Sequence, residues 1–171
     1  PTLQLTPTIG RLLGPDDDKA PGGALVAVLS HAYWTTRFGQ DPGVLSQPIV
    51  VNGQPMTVVG VGPKGFDGTT LAARPVVFVP ITMRDVFQPG ARISSFENRR
   101  SYWAYLFARL KPGVSIEQAR TALNVPYKSI LNDVEAPLQV GMSDQTMAKF
   151  RERQVGIVPG ERGQTSIDRD A

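Results

Sequence analysis

The chain of 171 residues contains no cysteine and a single histidine, His31. Without cysteine it can form neither a disulfide nor a metal site with thiolate ligands. A histidine-rich metal site is excluded as well, and neither a P-loop nor the G-x-S-x-G sequence of serine hydrolases occurs. His31 lies between a predicted strand and a predicted helix, and we expect it on the helix surface. We therefore predict no catalytic residue, no metal and no cofactor.

Long hydrophobic runs are also missing. No segment approaches the roughly 18 apolar residues of a membrane helix. Residues 1–9 lack the basic region of a signal peptide, and the chain does not begin with Met. We expect a soluble piece of a longer protein.

Charge is modest, with a net value of +3 and 19% charged residues beside 41% hydrophobic ones. These shares are typical of a folded domain, and 15 prolines with 17 glycines predict many turns and short strands. The basic pair Arg99-Arg100 near Tyr102 and Trp103 resembles a patch for single-stranded nucleic acid. We keep a nucleic-acid module as a minor alternative, since a net charge this small decides little.

Local signals agree best between residues 24 and 66. Residues 24–29 form an apolar run of strand length. Ser30 then occupies a helix N-cap position, Trp34 and Phe38 share one helix face, and Gly39 follows where a left-handed residue ends a helix. This pattern predicts a strand followed at once by a short helix.

A hairpin is predicted next. Asp41-Pro42 opens a turn, and residues 47–51 and 56–61 are two valine-rich runs of strand length. Asn52-Gly53 between them is the strongest short signal for a two-residue hairpin turn.

The glycines Gly60, Gly62 and Gly65 match the G-x-G-x-x-G pattern of dinucleotide sites. That site needs a helix directly after the glycines. Only a short segment with Gly68 and Pro75 separates Gly65 from the next predicted strand, at 76–79. A crossover helix does not fit, so we predict no nucleotide site.

The remaining elements are shorter. Asp16, Asp17 and Asp18 lack EF-hand spacing and predict a solvated loop. Thr82 is expected to cap a helical turn through Phe87, and the alternating residues 102–110 predict a strand.

A capping box, residues 115–118, opens a helix in which Pro126 predicts a kink or a break. A short helix at 143–151 and a last strand at 154–158 follow.

The chain resembles the periplasmic core domain of MacB-like, FtsX-family ABC transporter permeases. Within this family, the sequences of residues 65–68 and 159–163 are most similar to those of the duplicated orphan permeases of acidobacteria. A second motif, residues 109–115, matches the family's R-L-K-P-G-V-S. The residues that carry the resemblance, here called the signature residues, are Ser30, Trp34, Phe38, Gly39, Asp41, Pro42, Asn52, Gly53, Gly60, Pro63, Gly65, Phe66, Lys111, Pro112 and Gly113.

This resemblance implies an α+β fold of two lobes. A β-rich lobe, residues 15–101, would be inserted into a mixed β-α-β lobe made of residues 1–14 and 102–171, whose N-terminal part lies outside this sequence. The signature residues would be structural.

The implied function is that of a non-catalytic domain on the periplasmic face of the cell membrane. It would couple ATP-driven motion to export or to an outside partner protein, together with the membrane helices of the permease and its ATP-binding subunit. A small-molecule sensor with an aromatic groove is the main alternative. We also expect the chain to self-associate through the open edges of strands 102–110 and 154–158.

Overall fold

Two compact units make up the computed structural model, which describes residues 3–70, 72–87, 96–98, 103–160 and 163. Unit 1 comprises Pro1–Leu106 with Gly163–Ala171 and is called the sheet unit; unit 2, Phe107–Arg162, is called the helical unit. In this division residues 1–14 belong with the sheet, whereas the resemblance groups them with residues 102–171. The two-lobe boundaries expected from the resemblance stay a prediction.

The sheet unit is built on one long strand. The strands are β1 (Ile9–Gly10), β2 (Val26–Leu29), β3 (Pro48–Val51), β4 (Gln54–Val61) and β5 (Val77–Phe78). One side of β4 pairs with β2 in parallel, and its other side pairs antiparallel with β3 and then with β1. Strand β5 pairs antiparallel with the outer side of β2. The sheet is therefore mixed, and together with the helices it confirms the predicted α+β fold class.

The core lies against β2 and β4, whose apolar residues explain their central position. Leu29, Val58 and Val61 are fully buried and pack with Trp34 of the first helix. A second buried cluster joins Ala27 and Met56 to Met83.

Helices flank the sheet and dominate the helical unit. They are α1 (His31–Phe38), α2 (Arg84–Phe87), α3 (Ile116–Ser129) and α4 (Asp144–Arg151). Short 3-10 turns occupy Pro15–Asp18, Pro42–Val44, Ile81–Met83 and Ala136–Leu138, and a π-helical turn follows α3 at Ile130–Glu135. Among the residues described, no helix combines the length and the apolar character that crossing a membrane requires.

The strands predicted at 102–110 and 154–158 are wrong: residues 103–110 and 154–158 contain no strand. A strand needs a neighbouring backbone ladder, and the second segment uses side chains of α3 instead. The Val155 N–H donates to Asn124 Oδ1 at 2.8 Å, and Asn124 Nδ2 donates to the Val155 carbonyl at 3.2 Å. Arg120 donates to the Ile157 carbonyl at 3.2 Å.

Of the kink or break predicted at Pro126, the break is wrong, since α3 runs through it to Ser129; the kink stays a prediction. Proline removes the single bond that its own N–H would make to the preceding turn. The Ile130 N–H donates to both the Pro126 and the Tyr127 carbonyls, and the wider π-helical turn begins at Ile130.

Two further predictions fail in the sheet unit. Thr82 lies inside the 3-10 turn rather than capping it, because Pro80 is the N-cap, and the Thr82 hydroxyl donates to Asp18 Oδ1 at 3.1 Å. The acidic run is a 3-10 turn with Asp17 buried, not a solvated loop. Arg99, Arg100 and Tyr102 of the nucleic-acid pattern lie outside the described residues.

Candidate functional site

The helix of the signature segment is fixed at both ends by local bonds. Ser30 Oγ accepts the Tyr33 N–H at 3.2 Å, which confirms the predicted N-cap. Gly39 is left-handed, with φ of 58°, and its N–H donates to the Trp34 carbonyl. These contacts hold α1 to its eight residues directly after β2.

Trp34 ties this helix to the core and to the following turn. Its side chain is only 6% exposed and packs with Leu29 and Val58. Its indole Nε1 donates to the Asp41 carbonyl at 2.8 Å, and Asp41 Oδ1 accepts the Gly43 N–H at 2.8 Å. One buried tryptophan thus joins strand, helix and turn.

Phe38 covers the rim of the same cluster. It is partly buried, and its ring meets that of Tyr33 edge to face with centroids 5.8 Å apart. Trp34 and Phe38 therefore pack on one core, as their spacing predicts.

The predicted hairpin turn is confirmed. Asn52 and Gly53 both have positive φ, 47° and 82°, which is the backbone of a type I′ turn between β3 and β4.

The glycine fingerprint has a packing explanation in this sheet. A Cβ on Gly60 would overlap the Arg11 carbonyl, because β1 pairs with β4 at Gly60 and the chain continues close to it through Arg11. The Gly62 N–H donates to the Leu29 carbonyl at 2.8 Å. The described residues between Gly65 and β5 contain no helix. Gly60 thus allows the close approach of the chain after β1, and no helix follows the three glycines directly in the sequence.

The loop after β4 presents an aromatic ring. Its turn closes with the Phe66 N–H on the Pro63 carbonyl at 3.2 Å, and Gly65 has φ of 81°. The Phe66 ring stacks on Phe78 of β5, with centroids 5.7 Å apart.

The second signature motif sets the start of α3 in the helical unit. The Val114 N–H donates to the Lys111 carbonyl at 3.1 Å across a turn in which Gly113 has φ of 79°. Ser115 Oγ then accepts the Gln118 N–H at 3.1 Å, and Gln118 Oε1 accepts the Ser115 N–H at 2.9 Å. The capping box predicted from the sequence is present.

An ion pair between an exposed arginine and a buried aspartate lies beside β1. The Arg11 guanidinium binds both Asp17 oxygens, at 2.7 and 2.8 Å, and the Gly14 N–H donates to the same carboxylate at 2.8 Å. Asp17 is 7% exposed. The Arg11 hydrogen bond lowers the pKa of Asp17, helped by the Gly14 N–H, against the opposing effect of burial. This pair was not predicted from the sequence. The sequence signal for it was Asp17, which lies three residues after Gly14 in a turn that begins at Pro15.

A groove opens on the surface of the sheet unit, between α1 and the loop after β4. Its volume is about 380 Å³. Gly65 and Phe66 are the signature residues that reach it. The lining residues are His31, Ala32, Thr35, Thr36, Gln40, Lys64, Gly65, Phe66 and Asp67. His31 is half-buried at the first position of α1. In the part of the chain that the structure describes, no cluster of three or more His, Asp or Glu residues is placed to hold a metal.

Residues 2–124 match the model of the MacB-like periplasmic core domain. The chain belongs to that family. It is the extracytoplasmic domain type of MacB-like ABC transporter permeases, as the resemblance in the sequence implied, and its periplasmic placement follows from the family.

Two solved structures of extracytoplasmic domains are similar to the chain. The extracellular domain of the noncanonic ABC-type transporter YknZ from Gram-positive bacteria is 23% identical, with a TM-score of 0.38 over 48% of this chain. The periplasmic region of MacB from Actinobacillus actinomycetemcomitans is 19% identical, with a TM-score of 0.47 over 74% of this chain. The chain spans 38% and 50% of their lengths. No curated protein matches it.

Proposed function

We propose that the domain is a non-catalytic, force-transmitting part of an ABC transporter permease. It moves with the membrane helices when the ATP-binding subunit works in the cytoplasm, and it passes that motion to export or to an outside partner protein. The family assignment supports this placement.

The observation that carries the proposal is the bonding of Trp34. A part that transmits motion must move without deforming, and close-packed cores resist deformation. Trp34 is buried among Leu29, Val58 and Val61, and its indole binds the Asp41 carbonyl. We propose that the signature residues of the sheet unit make α1, the turn and β4 one rigid body, and that this role accounts for their pattern.

Spin labels test the rigid body directly, and the absence of cysteine from the chain makes single labelling sites easy to introduce. Thr36 in α1 and Val50 in β3 are both exposed and belong to the sheet unit. One pair joins Thr36→Cys to Val50→Cys. A second pair joins Thr36→Cys to a cysteine at the periplasmic end of a membrane helix, in a parent permease freed of other cysteines.

The reconstituted permease with its ATP-binding subunit is then measured by electron spin resonance, with and without ATP and vanadate. The distance within the sheet unit should stay constant while the distance to the membrane helix changes. A hydrolysis-deficient ATP-binding subunit is the control for motion that follows turnover. A changing distance within the sheet unit, or an unchanged distance to the membrane helix, would contradict force transmission by a rigid body.

A further inference from the structure

The groove between α1 and the loop after β4 offers a set of side chains that the proposed mechanical role does not use. All of its lining residues belong to the sheet unit. Its volume of about 380 Å³ lies within the range of small-molecule sites.

Hydrogen bonds on the helix wall leave acceptors facing outward. The Thr35 hydroxyl donates to the His31 carbonyl at 2.9 Å, so its only proton is engaged. His31 Nδ1 lies 3.3 Å from Thr35 Oγ1, and in the tautomer in which the ring donates this bond, Nε2 is an acceptor.

Gln40 follows the same pattern. Its Nε2 donates to Thr35 Oγ1 at 3.2 Å, which leaves the amide oxygen Oε1 open. The Thr36 hydroxyl donates to the Ala32 carbonyl at 3.0 Å and can only accept a further strong bond. The helix wall thus presents mostly acceptors.

The loop wall contributes one charge of each sign. Lys64 and Asp67 are exposed, and neither forms an ion pair or a side-chain hydrogen bond with the described residues. Because the two charges are opposite, the groove carries no net charge that would select an anion or a cation. Phe66 lies between Lys64 and Asp67 in the sequence, and its ring, which stacks on Phe78, adds an apolar surface to this wall.

We propose that this groove binds an uncharged saccharide. Sugar hydroxyls donate to His31 Nε2, Gln40 Oε1 and the Asp67 carboxylate, and other sugar oxygens accept from Lys64. The C–H face of the sugar ring packs on Phe66. This inference is independent of the proposed force transmission.

The test is a titration of the 171-residue chain, labelled with ¹⁵N, followed by amide chemical shifts. The probes are maltose and di-N-acetylchitobiose, with glutamate and spermidine as charged comparators. For an open site we expect a Kd of about 1 mM for at least one saccharide. The shifted amides should be those of α1 and residues 64–67.

Variants define the contacts. Asp67→Ala and Lys64→Ala should each weaken saccharide binding about three- to tenfold, because water screens a hydrogen bond to a charged group at an exposed position. Lys128→Ala and Asp133→Ala remove the same charges from exposed positions of the helical unit and should leave binding unchanged. Because Lys64 and Asp67 form no ion pair or side-chain hydrogen bond with the described residues, their alanine variants should fold normally, and a loss of binding can be assigned to the groove.

Three outcomes overturn the proposal. They are no saturable shift with either saccharide, a stronger response to glutamate or spermidine at the same amides, and equal weakening by the control variants. Each would leave the spin-label test of the proposed function unaffected, because that test reads distances in the permease.

Discussion

The ion pair of Arg11 and Asp17 makes a quantitative prediction about stability. Asp17 is buried and its carboxylate accepts three hydrogen bonds, two of them from Arg11. Hydrogen bonds to charged groups contribute about 1.5–3 kcal/mol in favourable cases. The Arg11 side chain is 53% exposed, so water screens part of this gain. We expect Asp17→Asn to lower the free energy of unfolding by about 1–2 kcal/mol at neutral pH.

Removing the other partner should cost more. Arg11→Met leaves the Asp17 carboxylate buried with the Gly14 N–H as its remaining hydrogen bond. An uncompensated buried charge costs about 3–5 kcal/mol. Because the Arg11 side chain is half exposed, water can reach the vacated position, and we expect a cost of about 2–3 kcal/mol. Asp16→Asn is the matched control in the same turn. It breaks an ion pair with Lys19 whose side chains are 73% and 88% exposed, and it should change little.

The pH dependence gives a second readout. Because folding lowers the pKa of Asp17, its contribution is fully present above the ordinary value of about 3.9 and is lost as pH falls through the folded value. The difference in unfolding free energy between the native chain and Asp17→Asn should therefore be at its full size above about pH 5 and shrink below about pH 4.

Urea unfolding followed by tryptophan fluorescence measures these differences at each pH. The reasoning is refuted if Asp17→Asn costs the same at acidic as at neutral pH. It is also refuted if Arg11→Met is no more harmful than the Asp16→Asn control.

Three other predictions concern packing and association. Trp34→Ala should lower the unfolding free energy by about 3–5 kcal/mol, because it removes a buried aromatic ring and its bond to Asp41; an unchanged melting temperature would contradict the role proposed for Trp34. Gly60→Ala should destabilise the chain strongly by forcing β1 away from β4, while Gly39→Asn, at a left-handed position with open space, should cost little, and thermal unfolding compares the two. Self-association through strand edges at 102–110 and 154–158 is overturned, because residues 103–110 and 154–158 contain no strand. We expect association instead through apolar side chains exposed in the helical unit, such as Leu123 at 50% and Ile130 at 51%; light scattering should show less association for Leu123→Glu, and a strictly monomeric native chain would contradict this.

Elements whose signals lie within a few residues of one another could be predicted from the sequence. Ser30 and Gly39 define both ends of α1, and Asn52-Gly53 defines the hairpin, because each acts on its own backbone. The capping box at Ser115 is equally local.

Features that depend on distant partners could not be predicted in the same way. The alternation of residues 103–110 is typical of a strand, but a strand exists only where another supplies its ladder. The acidic run reads as solvated until Arg11 and Thr82 are seen to bind Asp17 and Asp18. The groove likewise joins two segments, α1 and residues 64–67, that no local pattern connects.

Pro48, the first residue of β3, limits how another strand could pair with this edge of the sheet. In the register of β3 and β4, residues 49 and 51 face β4 through their backbone groups, so residues 48 and 50 face outward. Pro48 has no N–H, which leaves Val50 as the outward donor of this four-residue strand. An incoming strand would find one donor where a continuous ladder needs several. This hairpin edge is thus a poor template for β-aggregation.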